Sequence, residues 1–142
     1  MRKLNYIIPV LLCLIIHIET QAQVLGRSQI IGTLCNEWSL DSLEIIDTKD
    51  KFEPPLNIRH NYIVFKENMT FVASEAGQLI VGKWRLDSTR AKIINYDVEH
   101  SGVKSDLIFE IKELSDLKLI LTSKQMSGGR VKLIYKSKSA SN

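Results

Sequence analysis

Outside the first 22 residues the side chains best suited to nucleophilic or acid–base chemistry are few: His60, His100 and Cys35. A nucleophile and its base need a third group to orient them, and neither histidine sits in a recognisable motif. Both fall in segments that read as turns or loops. Asp97, Glu99 and His100 bring carboxylate and imidazole together, which are suitable metal ligands, but their adjacency in a hairpin turn is equally that of a solvated loop. There is no glycine-rich phosphate loop and no paired-cysteine metal motif. The expectation is a non-enzymatic protein with no catalytic residue, no metal and no cofactor. Cys35, between Leu34 and Trp38, reads as a small buried hydrophobe; a reactive or intermolecular thiol is the other reading.

The more informative chemistry is apolar. Trp38, Phe65, Phe71, Trp84, Tyr96, Phe109 and Tyr135 fall at positions that share one strand face with Leu40, Ile80, Ile94, Leu107, Leu119, Leu121 and Leu133. Ligand pockets are mostly apolar with a few placed polar groups. The seven aromatic residues are therefore the candidate ligand-binding set, with Tyr96, Tyr135 and the two indoles as polar handles. The same residues would also fill an interior at ordinary core density.

What positions them is a succession of short alternating runs. The central one is Gln78 to Leu86, in which Gly82 precedes Trp84 by two, on the same strand face. That spacing leaves room for the indole to lie against the sheet. Other strands are read over Glu37 to Ile46, Asn61 to Lys66, Met69 to Ser74, Ala91 to Val98, Lys104 to Glu113, Leu117 to Lys124 and Arg130 to Lys136. The first loses its alternation at Leu43, Ile45 and Ile46, as a bulge or a strand covered on both sides would cause. Turns are read at Glu67-Asn68, Ala76-Gly77, Glu99 to Gly102, Ser115-Asp116 and Ser127 to Gly129. Val24 to Cys35 carries Ile30, Ile31 and Leu34 at helical spacing, with Ser28 as a cap. Asp47 to His60, with Pro54-Pro55, is the longest irregular segment and the candidate portal or lid.

Eight strands joined by short turns predict an all-β fold, an antiparallel up-and-down barrel of eight strands with a short N-terminal helix. A two-sheet sandwich is the alternative. The barrel domain spans 23–136, and the polar residues 137–142 read as a disordered tail.

Arg2 and Lys3, the apolar run from Ile7 to Ile18, and Thr20-Gln21-Ala22-Gln23 form the three parts of a secretory signal peptide, residues 1–22. The run is too short for a membrane helix, which needs about 20 apolar residues. Export to the periplasm or the medium follows, with no transmembrane span in the mature chain. A lipoprotein acylated at Cys13 is the alternative, and Leu12 opposes it, since a small residue belongs there. Losing the leader removes Cys13, so no internal disulfide can form. It also removes Arg2, Lys3 and Glu19, which lowers the formal charge from +3 to +2. That is too weak a charge for nucleic-acid binding, and Lys132, Lys136 and Lys138 read as solvation of an outer face. About 120 mature residues make one domain able to bury a core without disulfides. A monomer is expected, with the protein partner unspecified.

In the order Cys35-Asn36-Glu37-Trp38-Ser39-Leu40, Tyr62-Ile63-Val64-Phe65, Gly82-Lys83-Trp84 and Val131-Lys132-Leu133-Ile134-Tyr135, the chain resembles the small lipocalin-like proteins exported by Gram-negative bacteria of the Bacteroides type. Trp38 takes the place of the family's first-strand tryptophan, with Asn36 where lipocalins proper carry glycine. The resemblance implies a calyx-like barrel and binding of a small hydrophobic molecule. Two functions are thus expected: an exported carrier with its ligand inside the barrel, or an interaction module whose barrel is packed solid and whose loops or lysine-bearing last strand meet a partner.

Overall fold

The computed structural model describes residues 26–48, 53–54, 60–75, 77–87, 92–100, 103–124 and 128–138, with only the backbone described at 75, 92–100 and 103–106. The leader, the middle of the 47–60 segment, residues 139–142 and the side chains of Ile94, Tyr96, Asp97, Glu99 and His100 lie outside this set. The chain is mostly antiparallel β with one short helix. Helix α1 spans residues 26–34. The strands are β1 (Glu37–Ile46), β2 (Tyr62–Phe65), β3 (Thr70–Glu75), β4 (Gln78–Leu86), β5 (Lys92–His100), β6 (Val103–Leu114), β7 (Lys118–Ser123) and β8 (Arg130–Ser137). Each strand pairs with the next, and β8 pairs back onto β1, so the ladders form a closed ring.

The ring is uneven. Between β1 and β8 the register runs from Trp38↔Ser137 to Ile46↔Arg130, with a shift between Leu40 and Ser42. The extra residue, Asp41, is the bulge that the broken alternation foretold, and it restores Leu43 to the inner face, opposite Leu133. The seam on the other side of β1 is short, only Glu37↔Val64, Trp38↔Ile63 and Ser39↔Tyr62. Three further shifts interrupt the register, in β4–β5, β5–β6 and β6–β7.

Local chemistry fixes the turns. In the β2–β3 hairpin Lys66 N–H donates to Thr70 O at 2.9 Å, and Asn68 Oδ1 accepts from the Thr70 N–H (3.2 Å) and hydroxyl (2.6 Å). Met69 there takes φ of 62°, an uncommon left-handed conformation for a residue with a side chain. The β3–β4 turn uses Gly77 at φ 83°, where glycine carries no steric cost.

Three sequence expectations are corrected. Ser28 is inside α1, so it does not cap it. β8 continues through Ser137, which is buried, so the residue read as the start of a tail is part of the wall. His100 ends β5 instead of standing in a turn. His60 stands in a loop, as read, and is buried there.

The core sits inside the ring. Leu34 of α1 reaches it fully buried, with Ile30 and Ile31 packed against it, so the helix covers the end of the barrel at which β1 starts and β8 finishes. Ile45, on the inward phase near the opposite end, is 43% exposed. From that end the 47–60 segment departs.

Candidate functional site

The interior is built on two tryptophans. Trp38 follows α1 directly, and its indole N–H donates to Leu34 O at 2.9 Å, tying the helix end to β1. Trp84, on β4, donates from the indole to Lys66 O at 3.1 Å and Thr70 O at 3.0 Å, while its backbone N–H donates to Met69 O at 2.8 Å. One residue thereby holds the β2–β3 hairpin from inside. Gly82 shares the inward phase with Trp84 and stands opposite Phe71 in the β3–β4 ladder. Phe65 meets Trp84 edge-on.

Of the seven candidate ligand-binding residues, the structure brings six into one core: Trp38, Phe65, Phe71, Trp84, Phe109 and Tyr135. All six are only 0–2% exposed. The seventh, Tyr96, is placed on β5 with its side chain outside the described set. Both indole donors expected as handles for a ligand are engaged by backbone carbonyls. Tyr135 is enclosed so fully that burial pushes its phenol well above the ordinary range, which keeps it neutral.

Sequence reasoning missed several members. Leu34, Ile63, Ala73, Leu86 and Val131 join the core; of these Ile63, Ala73 and Val131 follow from strand phase once the register is known. Asn36 had no such signal. Its Nδ2 donates to Ser137 Oγ at 3.0 Å, its Oδ1 accepts from Glu37 N–H at 2.8 Å, and its carbonyl accepts from Phe65 N–H at 3.3 Å. Asn36 thus links β1, β2 and β8. His60 is held almost neutral in acid, its pKa lowered to about 4 by burial. Cys35 is half-buried, and its thiol pKa is raised first by burial and then by the Glu67 carboxylate. Among the described residues no group of three or more His, Cys, Asp or Glu is placed to hold a metal ion, and no helix is long and apolar enough to cross a membrane.

Outside, the wall has two characters. Across β1–β8 the cations are all matched: Lys132 to Glu44 (2.9 Å), Lys136 to Asp41 (2.7 Å), Lys138 to Glu37 (2.7 Å), and Arg130 to Asp47. The lysines of the last strand therefore serve the seam. Across β2–β4 the outward phase carries Tyr62, Val64, Val72, Leu79 and Val81, in the rows Tyr62–Ser74–Leu79, whose middle residue is polar and buried, and Val64–Val72–Val81, with Lys83 and Arg85 further along β4.

A β-barrel whose helix covers one end and whose aromatic residues fill the inside is the class of protein that this geometry defines. Compared with known proteins, the chain matches no family model, no curated protein and no solved structure.

Proposed function

We propose that the protein is an exported, non-enzymatic interaction module of lipocalin-like architecture, in which the barrel is a packed scaffold and the outer wall makes the contacts. One observation carries the choice over the carrier reading: the six aromatic residues meant to line a ligand chamber are 0–2% exposed. A chamber for a small hydrophobic molecule needs several hundred cubic ångströms, and its lining would keep accessible surface. The engaged indole N–H groups support the same reading, because they leave a ligand no donor there. The order of the strands and the return of β8 to β1 support the lipocalin-like architecture.

Native mass spectrometry of the protein recovered from its own host, compared with the denatured chain, tests this. The expected result is the mass of the bare chain, together with no saturable binding of a fluorescent fatty acid. A retained mass of a few hundred daltons released on unfolding would overturn the reading in favour of a carrier.

A further inference from the structure

We propose that the outer face of β2–β3–β4 is a docking surface for a polypeptide segment that presents apolar side chains beside carboxylates. The proposal deepens the packed-module reading and rests on it. The face spans three strands, about 10 Å at ordinary strand spacing, and it carries Tyr62, Val64, Val72, Leu79 and Val81. Leu79 and Val81 stand 68% and 67% exposed. A contiguous apolar patch on a wall that needs none for its own fold marks a contact surface.

Charge identifies the occupant. Lys83 and Arg85 continue the outward phase of β4 beyond Val81; Lys83 stands opposite Asp97, whose side chain lies outside the described set, and Arg85 opposite Ile94, and neither cation makes an ion pair among the described residues, whereas every lysine and arginine of β8 does. An acidic segment lying along β4 would set its apolar residues on Leu79 and Val81 and its carboxylates on Lys83 and Arg85, which is the complementarity that gives an interface its orientation. A lipid surface fits less well. Glu37 shares the row of Val64, Val72 and Val81, and exposed Glu67 sits on the adjacent hairpin, so a uniformly anionic layer would meet carboxylates as well as cations.

The test uses the purified protein and two synthetic peptides of about fifteen residues that share a leucine face and carry either glutamate or lysine opposite it. Fluorescence anisotropy is read at low and high salt, alongside phosphatidylglycerol–phosphatidylcholine vesicles and sedimentation of the protein alone. The glutamate peptide is expected to bind about tenfold more tightly than the lysine peptide, with the preference shrinking at high salt. L79T/V81T, which keeps residues suited to a strand, should abolish binding. K83Q/R85Q should leave binding but erase the preference, so the proposal stays testable if either variant folds poorly. Equal affinity for the two peptides overturns it. So does vesicle binding without peptide discrimination, which would make a membrane the occupant, or self-association lost in L79T/V81T, which would make it a second copy. A bare native mass with no peptide preference would reject this surface and leave the packed barrel standing; a bound ligand in the interior would reject the packed barrel.

Discussion

Phe65 and Trp84 meet edge to face inside the barrel, with ring centroids 5.5 Å apart and planes at 74°. The contact joins β2, the shortest strand, to β4, which is not its ladder neighbour, so it braces the wall across β3. Aromatic pairs of this geometry contribute about 0.5–1.5 kcal/mol beyond area burial. A double-mutant cycle with Phe65→Leu and Trp84→Phe, read by urea unfolding, should give a coupling in that range. Trp84→Phe alone should cost more, about 2–4 kcal/mol, because Lys66 O and Thr70 O lose the indole donor and a buried volume is vacated.

Asn36→Gly removes two side-chain hydrogen bonds. It should destabilise the protein by about 1–3 kcal/mol, and combining it with Ser137→Ala should be less than additive, since both changes cut the same bond. Additive losses would mean that the link between β1 and β8 does not depend on this pair.

Leu119→Trp distinguishes a filled interior from an open one. Leu119 is fully buried in the core, and adding an indole to a filled core costs about 1–3 kcal/mol. A thermal unfolding midpoint unchanged by this substitution would show room inside.

His60 sets a pH dependence. Its folded pKa, about 4, lies below the ordinary 6.5, so between these values the unfolded chain binds a proton that the folded chain does not. Stability from this source is full above about pH 6.5 and is lost as pH falls toward 4, by about 3 kcal/mol. Below pH 4 both states are protonated and the loss stops growing. Denaturant titrations of the wild type and His60→Gln at pH 7.5, 5.5 and 4.5 should show the difference between them shrinking as pH falls. Parallel curves would refute the assignment.

The register of this fold was readable wherever side chains alternate. β1 and β4 occupy the ranges their sequence patterns mark, and the bulge at Asp41 was visible as a lapse of alternation around Leu43 and Ile45. Six of the seven aromatic residues were assigned to the inner face by phase alone. What phase cannot reveal is how completely an interior is filled, because that depends on where eight strands set their side chains against one another. Nor does it reveal partners distant in the chain. Asn36 looks like any turn residue until Ser137 arrives beside it, and the burial of His60 within its loop has no signal in the local sequence. The outer patch was hidden for a related reason: Tyr62, Val64, Val72, Leu79 and Val81 are unremarkable within each strand, and become one surface only through the cross-strand ladder.

The seam between β1 and β8 has a consequence for how the molecule is made. It joins residues as far apart as Asn36 and Ser137, 101 positions along the chain, and such closure carries an entropy cost before any contact repays it. The first strand emerges early and then waits for the last, its hydrogen-bonding edge open throughout. Folding cannot finish until nearly the whole chain is present, and a chain cut short before Arg130 would keep that edge open as a template for aggregation.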